Sequence, residues 1–445
     1  MTREYETLTP YSDSPFHFKG ASVIAQNHER VLLLSNQGST ILISAELLEQ
    51  IRNRKCTAGL AVKLMQHGFA EIENVASPDL TREPEPSYFI VDLTKKCNFN
   101  CIYCFRDPSV QEHTENSRLT DILEYITQYC RRYGKDRIGI QAWGGEPMLQ
   151  SSQIFKIADY FRKENIAASI EVETNASLIT EELAKNLRTA HIHLGISIDG
   201  PKMLQDMQRP ARNHLSSYAQ TMAGIANVKK YYGNDFGVIS VITRYSIEHP
   251  EELIDHLVTV GIRNMKFNIV RDNRYAREGG LLPELDQIDD FYKRVFQHIL
   301  RYYERGIRIT ESTIHTRFEN LVNSSRKNCC ESSGCTGGRS ILSFDYKGDI
   351  YPCELTDFEE EKIGSIDDGD LRSLIQKKKQ VSLFHKDRTN SECSECPWLF
   401  YCRGGCTSRV LYCGKDGIDE VACHINRILY PLISEQIVRA PRILL

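Results

Sequence analysis

The chain of 445 residues lacks several features that would place it in a membrane, outside the cell or on a nucleic acid. No apolar run is long enough to span a bilayer, and no apolar signal region stands near the N-terminus. Neither sign of charge dominates, because 55 Lys and Arg stand against 59 Asp and Glu, for a net charge of −4. We therefore expect a cytoplasmic protein without a membrane or nucleic-acid partner.

Cysteine, by contrast, is abundant and unevenly distributed. Of 15 cysteines, three form a C-x3-C-x2-C motif and ten lie between Cys329 and Cys423, while Cys56 and Cys130 stand alone. Without a secretion signal, so many thiols favour a reducing compartment and metal ligation over disulfides. Cys130 falls on the apolar side of a helical pattern, so we interpret it as a core residue, and we interpret Cys56 as structural.

The first motif consists of Cys97, Cys101 and Cys104, directly after a strand-like run from Tyr88 to Leu93. The cysteines should therefore lie on the loop at the C-terminal end of a strand, where α/β folds carry their chemistry. Three thiolates can hold three irons of a [4Fe–4S] cube and leave the fourth iron open to a small molecule. Disulfide bonding does not explain the motif, because an odd number of cysteines leaves one unpaired. A zinc site would need a fourth ligand, and none lies nearby at zinc-finger spacing.

This spacing, with Tyr103 before the third cysteine, resembles the radical S-adenosylmethionine (SAM) superfamily. In that family, SAM chelates the open iron, and one electron from the cluster cleaves it to methionine and a 5′-deoxyadenosyl radical. That radical abstracts a hydrogen atom from the substrate. The resemblance implies that the cofactors carry the hard chemistry and that the protein positions them.

The region from Ser87 to about Tyr303 alternates strand-like and helix-like stretches, which predicts a parallel α/β sheet. One helical pattern runs from Leu119 to Tyr133. The resemblance implies a six-unit partial TIM-like barrel, which matches the count of predicted strands near Tyr88–Leu93, Arg137–Ala142, Ser169–Thr174, His193–Ile198, Phe236–Ile242 and Asn264–Ile269.

The loops after these strands carry candidate SAM contacts. Gly144, Gly145, Glu146 and Pro147 resemble the GGEP motif of the family, in which the loop receives the SAM amino group; we expect the glycines to let the backbone approach a ligand closely. The resemblance further implies that Asn175 and Ser197 contact the ribose side and that Arg209 contacts the SAM carboxylate. The alternative for each is a turn or cap residue, which is also our interpretation of Asp199.

The residue pattern of the N-terminal segment predicts strands at Phe16–Ala25, Arg30–Asn36 and Thr40–Ile43. It then predicts two helices, capped by Ser44 and Thr57. This order suggests a small winged-helix-like domain, which lacks the concentrated basic face of a DNA binder. Ahead of a radical SAM domain it resembles the recognition element of ribosomal-peptide maturases, which adds a leader-peptide strand to a sheet edge. We expect that edge on the strand that contains Leu33. The alternative is a cap that only buries barrel surface.

The cysteine-rich end begins with a predicted β-hairpin whose turn is Lys347-Gly348, between Cys335 and Cys353. Its cysteine order resembles the SPASM extension of radical SAM peptide-modifying enzymes, which holds two auxiliary [4Fe–4S] clusters. The resemblance assigns Cys335, Cys353, Cys406 and an upstream cysteine, Cys329 or Cys330 with Cys329 favoured, to one cluster. It assigns Cys393, Cys396, Cys402 and Cys423 to the other. Zinc is the alternative for C-x2-C in isolation, and Cys413 has no assigned place.

Glu354 directly follows Cys353. In related sulfatase-maturing enzymes an acid at this place is thought to act as a base toward the substrate radical, so Glu354 is a candidate catalytic residue. We expect four units: a recognition element at 1–80, a barrel at 87–310, a SPASM domain at 325–425 and a closing helix and tail at 426–445. A linker runs from Ala76 to Pro86.

Taken together, the resemblance implies a radical SAM/SPASM oxidoreductase with three [4Fe–4S] clusters and SAM. It would crosslink a ribosomally made precursor peptide through a C–S or C–C bond, with electrons from a flavodoxin- or ferredoxin-type donor. One alternative is a sulfatase-type maturase that makes formylglycine, against which the N-terminal segment argues. Another is a non-catalytic iron–sulfur regulator on DNA, against which the intact GGEP loop argues; SAM cleavage under reduction separates the two.

Overall fold

The computed structural model describes residues 5–13, 16–72, 86–107, 112–323, 335–356, 359–379, 384, 390–413 and 417–440. Cys329, Cys330, the predicted linker up to residue 85 and residues 441–445 lie outside the described residues.

Short strands and short helices make up the N-terminal part. They are β1 (Glu6–Leu8), β2 (Tyr11–Asp13), β3 (Phe16–Phe18), β4 (Ala21–Gln26), β5 (Arg30–Leu34), β6 (Thr40–Ser44), α1 (Ala45–Arg52), α2 (Ala58–Gln66) and β7 (Ala70–Ile72). The strands form two antiparallel sheets, in the orders β1-β4-β5-β6 and β2-β3-β7. The hydroxyls of Ser44 and Thr57 accept hydrogen bonds from the first turns of α1 and α2, which confirms both predicted helix starts.

Two predictions for this part were wrong. The predicted strand Phe16–Ala25 divides at Gly20, whose φ of +88° turns the chain from β3 in one sheet to β4 in the other. Leu33 lies on β5, which pairs with β4 on one side and β6 on the other, so it is an interior position and not an edge. The edges that remain in the smaller sheet are β2 and β7.

The central part contains the predicted parallel strands, with bounds that differ from the predictions by no more than two residues. They are β8 (Tyr88–Thr94), β9 (Arg137–Gly144), β10 (Ala167–Thr174), β11 (Ile192–Ser197), β12 (Gly237–Ile242), β13 (Asn264–Ile269) and an added short strand β14 (Thr310–Glu311). They lie side by side in chain order and pair in parallel. All their carboxyl ends therefore meet at one edge of the sheet, where the loops gather.

Helices connect these strands and cover the sheet. They are α3 (Asn116–Arg132), α4 (Ser151–Lys163), α5 (Glu181–Thr189), α6 (Lys202–Gln208), α7 (Ser217–Tyr232), α8 (Pro250–Thr259), α9 (Arg274–Glu278), α10 (Leu285–Glu304) and α11 (Ser312–Asn323). Helix α3 buries the predicted apolar stripe, and Cys130 on that stripe is a core residue, as predicted.

The C-terminal part consists of β15 (Ile341–Phe344), β16 (Asp349–Tyr351), β17 (Gly364–Ser365), α12 (Leu371–Lys379), α13 (Ser391–Ser394), α14 (Leu399–Cys402), α15 (Thr407–Cys413) and α16 (Glu420–Arg439). The predicted hairpin with its Lys347-Gly348 turn is confirmed. Strand β15 pairs in parallel with β8, so the hairpin extends the central sheet, which we did not predict. The closing helix begins at Glu420, earlier than expected, and so includes Cys423.

The larger N-terminal sheet packs against the rest of the molecule. Ile24, Leu32 and Leu34 belong to one continuous core with the central strands and α16. The Asn27 side chain donates a hydrogen bond to the carbonyl of Val438 on α16 at 3.4 Å. The N-terminal part therefore covers apolar surface of its neighbours, as the cap interpretation expects. None of the described helices combines the length and the apolar composition needed to cross a membrane.

Candidate active site

A cavity of about 910 Å³ opens at the carboxyl ends of the parallel strands. Loops from both cysteine regions complete its wall, with Cys101 from the first motif and Cys406 from the cysteine-rich end. Each strand from β8 to β13 contributes side chains to the lining, among them Ile90, Gln141, Glu173, Ser197, Ile239 and Lys266. A cavity shared by consecutive strands requires a concave sheet, and it places the two cysteine regions around one space.

The cysteines of the first motif lie on the loop that leaves β8, and all three line the cavity, as the sequence predicts. The loop pairs with the segment after α6: Asn100 N donates to Pro210 O at 2.8 Å, and a bridge joins Phe99 to Ala211. Burial raises the pKa of Cys97 to about 11, and the nearby Glu146 carboxylate adds to that rise. A bound metal, which displaces the thiol proton, would hold such a group in its thiolate form.

The two glycines of the GGEP loop allow that loop to pack closely against the cysteine loop. A Cβ on Gly145 would lie 2.3 Å from the carbonyl oxygen of Lys96, and a Cβ on Gly144 would lie 2.4 Å from that of Thr94. The backbones are joined there, because Gly145 N donates to Thr94 O at 2.7 Å. Both glycines are thus required for contact between two loops, and both also line the cavity, so the expected contact with a ligand stays a prediction.

Glu146 is buried and lines the cavity. Its carboxylate accepts hydrogen bonds from Met148 N at 3.1 Å, the Thr174 hydroxyl at 2.6 Å and Asn175 N at 2.8 Å. Burial raises the pKa of Glu146, and these hydrogen bonds oppose the rise. A carboxylate offers about four lone-pair sites, so roughly one remains for a ligand. Pro147, at the first position of a short 3₁₀ helix, shapes the loop and does not line the cavity.

Asn175 and Ser197 line the same cavity, at the ends of β10 and β11. The Asn175 amide donates to the side-chain oxygen of Asn98 on the cysteine loop at 2.9 Å, and its own oxygen accepts from Ser177 N at 2.9 Å. Asn175 therefore ties the end of β10 to the cysteine loop. This is the turn role that we considered as its alternative, and its place in the wall leaves it within reach of a ligand.

Arg209 lies between the first motif and a buried carboxylate. Its Nη1 is 4.0 Å from Cys101 Sγ, and its Nε is 3.0 Å from Asp199 Oδ1. Asp199 also accepts from the Tyr103 hydroxyl at 2.7 Å and from Gln208 Nε2 at 2.9 Å. Burial lowers the pKa of Arg209, but Asp199 and its other neighbours raise it further, so the guanidinium stays charged. The sequence signals Asp199 only as a turn residue, whereas the structure makes it the centre of this network.

Cys335, Cys353 and Cys406 come together where the hairpin meets α15. Burial raises the pKa of both Cys335 and Cys353, and the thiol of Cys406 adds to each rise. Burial also raises the pKa of Cys406, but the Arg271 guanidinium lowers it and the net direction is downward. The predicted fourth ligand, Cys329, lies outside the described residues.

Cys393, Cys396, Cys402 and Cys423 form a second group, carried by α13, α14 and α16 and their connections. Burial raises the pKa of Cys423 to about 11, and the other three thiols raise it further while Arg427 lowers it. The structure thus brings together the two sets of cysteines that the resemblance implies, with the exception of Cys329. No disulfide joins any of the cysteines that the structure describes.

Among the described residues, no three His, Cys, Asp or Glu side chains lie close enough together to hold a single metal ion. A [4Fe–4S] cube asks for a different arrangement, because each thiolate binds its own iron. Groups of three and four half-buried thiols are the donor set that such a cube takes. The residues present therefore fit iron–sulfur clusters.

Charged side chains also occupy the part of the cavity wall outside the first cysteine motif. Glu354 lines the cavity beside Cys353, and Glu173 and Lys266 project from β10 and β13. Burial raises the pKa of Glu173 to about 7, while Lys266 lowers it and Glu354 raises it. Gly195 makes room for Glu173, since a Cβ there would lie 3.3 Å from its Cγ. Sequence reasoning missed Glu173 and Lys266, although a charge inside a predicted buried strand was an available signal.

Family models match two parts of the chain. The radical SAM superfamily model matches residues 91–257, and the model of the SPASM iron–sulfur cluster-binding domain matches residues 335–397. The serine-type anaerobic sulfatase-maturating enzyme of Klebsiella aerogenes is 23% identical over 346 residues, which are 75% of this chain and 83% of that enzyme. The cysteine-type enzyme of Clostridium perfringens is 23% identical over 333 residues, 73% and 89% of the two chains.

Solved structures share the fold. Native anSMEcpe with bound AdoMet and Cp18Cys peptide superposes with a TM-score of 0.68 at 21% identity, covering 79% of this chain and 98% of that one. Streptococcus suis SuiB bound to precursor peptide SuiA superposes with a TM-score of 0.56 at 15% identity, covering 93% of this chain and 100% of that one.

Proposed function

We propose that this chain, which carries a radical SAM domain and a SPASM domain, is a peptide maturase that oxidatively crosslinks a ribosomally made precursor. The observation that carries the proposal is the N-terminal part, two small sheets and two helices added to the barrel and cysteine modules. The likeness to SuiB supports it, because that alignment covers 93% of this chain, against 79% for anSMEcpe. An aligned N-terminal part would account for a difference of this kind.

In this proposal, Cys97, Cys101 and Cys104 hold the cluster that binds SAM. Glu146 accepts the SAM amino group at its remaining lone pair, Arg209 faces the SAM carboxylate, and Asn175 and Ser197 contact the ribose side. When bound, cluster and SAM supply a 5′-deoxyadenosyl radical that removes a hydrogen atom from the peptide. We further propose that the concave sheet is the six-unit partial barrel and that the units divide at 1–80, 87–310, 325–425 and 426–445, with the first winged-helix-like.

The second oxidation step removes one electron and one proton from the substrate radical. In this proposal the cysteine groups of the C-terminal part would hold two auxiliary clusters, which would supply an acceptor for the electron. Glu354, in the cavity wall beside Cys353, takes the proton. The loss is then two hydrogens, one as an atom and one as a proton with an electron. A flavodoxin- or ferredoxin-type donor in a reducing cytoplasm supplies the electron that cleaves SAM.

A sulfatase-type maturase remains the second candidate, because sulfatase-maturating enzymes align with three quarters of this chain. The two candidates differ in product. Anaerobic co-expression with a small open reading frame found next to this gene should yield a peptide that has lost two hydrogens, as measured by mass spectrometry. An aldehyde on a Cys or Ser of a sulfatase-type peptide, with no change in the precursor, would favour the second candidate and contradict the first.

Recognition by the N-terminal part has its own test. Deleting residues 1–75 would remove Ile24, Leu32 and Leu34 and so expose the apolar surface of α16 and the central part that they cover, and aggregation would obscure the result. Proline on an edge of the smaller sheet is milder, because it removes one backbone donor. We expect Ser12→Pro on β2 to lower precursor modification by roughly 10² through lost tethering, with SAM cleavage unchanged. Full modification by this variant would contradict recognition at the β2 edge and favour the cap interpretation.

A further inference from the structure

Arg271 connects the barrel with the cysteine-rich module. It lies on the loop after β13 and lines the cavity together with Glu354. Its Nη1 donates a hydrogen bond to the Ser408 hydroxyl at 2.7 Å and lies 3.7 Å from Cys406 Sγ, within hydrogen-bond distance for sulfur. Ser408 itself contacts Cys406 Sγ at 3.1 Å. The guanidinium cation of a residue from the central part thus contacts a sulfur of the first auxiliary group, which consists of Cys335, Cys353 and Cys406.

The surroundings of Arg271 differ from those of the arginine beside the second cysteine group. Its hydrogen-bond partners are the Ser408 hydroxyl and the Cys406 sulfur, neither of them a carboxylate, and the Glu354 carboxylate acts on it only as a nearby charge. Arg427, the arginine beside the second group, is paired with the Glu392 carboxylate at 3.0 Å. In the first group a cation therefore contacts a ligand sulfur directly, with the Asp419 and Glu354 carboxylates nearby but not bonded to that cation, whereas the cation beside the second group is hydrogen-bonded to a carboxylate.

Two physical effects of Arg271 act in the same direction. Adding an electron to an iron–sulfur cluster makes it more negative, so a nearby cation stabilises the reduced state. A hydrogen bond to a ligand sulfur withdraws charge from it and also raises the reduction potential. Both effects would make the cluster beside the cavity the better electron acceptor.

We propose that Arg271 is a positioning residue that raises the reduction potential of the auxiliary cluster held by Cys335, Cys353 and Cys406, and so makes that cluster the acceptor of the substrate electron. The inference rests on the proposed function for the presence of that cluster. The step is a one-electron reduction of the cluster by the substrate radical, while the proton leaves to a base in the cavity. In the wild type, this cluster should have a higher potential than the one held by Cys393, Cys396, Cys402 and Cys423.

The test is a redox titration followed by electron paramagnetic resonance. The full chain with Cys97, Cys101 and Cys104 replaced by Ala leaves the auxiliary signals free of overlap. In this background, Arg271→Gln should shift one auxiliary signal to more negative potential, by about 59 mV for each tenfold loss in the equilibrium constant of a one-electron reduction. The other auxiliary signal, in the same molecule, should stay in place.

Matched variants separate charge, geometry and folding. Arg274→Gln removes the same charge at an exposed site, where Arg274 pairs with Glu278, and should leave both potentials unchanged. Arg271→Lys keeps the charge without the guanidinium fork, so a smaller shift is expected, and it reports on the site even if the Gln variant fails to fold.

The outcomes are distinguishable. A wild type that binds no auxiliary cluster overturns the proposed function and this inference together. Two auxiliary clusters in the wild type, with neither potential moved by Arg271→Gln or by Arg271→Lys, overturn the inference alone. An equal shift of both signals would likewise contradict a local effect at Cys406.

Discussion

The two cysteine regions reach the same cavity by different routes. In the first, three thiols lie on one loop of eight residues, directly after β8. In the second, seven described thiols are spread from Cys335 to Cys423 and are collected by a hairpin, short helices and the start of α16. A local motif needs neighbouring loops to set its shape, whereas a dispersed one needs the whole fold to exist. A substitution that damages the first region should therefore act by moving the cysteine loop. One that damages the second should act by keeping its distant cysteines from coming together.

The largest expected effect removes the local site alone. Replacing Cys97, Cys101 and Cys104 together by Ala should abolish 5′-deoxyadenosine formation under reduction, while iron and sulfide fall from three clusters to two. The dispersed ligands do not depend on this loop, so their clusters should remain. Cys56→Ala, a cysteine outside both regions, serves as the control. Undiminished 5′-deoxyadenosine from the triple variant would refute the site.

A second change keeps every ligand and alters only the local geometry. Gly145→Ala would place a Cβ 2.3 Å from the Lys96 carbonyl, so the cysteine loop must move. Displacement by about 1 Å can cost roughly 10² in rate, and we expect SAM cleavage to fall by about that factor. Gly59→Ala, whose Cβ would meet nothing within 4 Å, should have no such effect. Wild-type cleavage by the Gly145 variant would show that the loop contact is unimportant.

A third change addresses assembly of the dispersed region. Asp419 accepts a hydrogen bond from Ala422 N as the N-cap of α16 and another from Cys406 N, both at 3.1 Å. Asp419→Ala removes a cap worth about 1 kcal/mol and leaves a buried N–H unpaired, at about 1–3 kcal/mol. We expect loss of auxiliary iron and a lower thermal midpoint, with SAM cleavage retained.

Asp419→Asn keeps one acceptor oxygen for the cap but turns an amide NH2 toward Cys406 N, so it should lie between the wild type and Asp419→Ala in iron content and in thermal midpoint. A full complement of iron in the Ala variant would contradict the role of this carboxylate in bringing the two auxiliary groups together.

The smallest expected effect concerns the wall that both regions share. The pKa of Glu173 is raised to about 7 from 4.5, chiefly by burial, so folding favours its protonated form. Its ionisation therefore costs stability as the pH rises from about 4.5 through 7, and the full cost persists above that range. Glu173→Gln should raise the free energy of unfolding by about 2 kcal/mol at about pH 8 and leave it nearly unchanged at about pH 4.5.

Thermal midpoints of the cluster-free protein at the two pH values measure this effect. The matched control is Glu171→Gln, two residues away on the same strand, where Glu171 accepts the Tyr88 hydroxyl at 2.8 Å. That change should bring no gain at the higher pH. An equal gain for both variants, or a gain for Glu173→Gln that does not depend on pH, would contradict the ionisation argument.

Sequence alone determined the local elements and the ligand types. The helix starts at Ser44 and Thr57, the strands from β8 to β13, the core position of Cys130 and the hairpin turn at Gly348 were all predicted. These features depend on side-chain periodicity, capping and backbone sterics among near neighbours, which a short stretch of residues already specifies. The resemblance to the SPASM extension, and not the spacing alone, implies which thiols form each donor set, and that assignment stays a prediction.

Only the tertiary structure decided which distant residues act together. It showed that Gly145 lies too close to the Lys96 carbonyl for any side chain and that Asp199 bonds both Arg209 and Tyr103. It also showed that Arg271 contacts Cys406, which lies 135 residues further along the chain. It also placed β15 beside β8 and made Leu33 an interior residue. Such contacts depend on how every layer packs, because many pairings are compatible with the same local patterns until the whole core is filled.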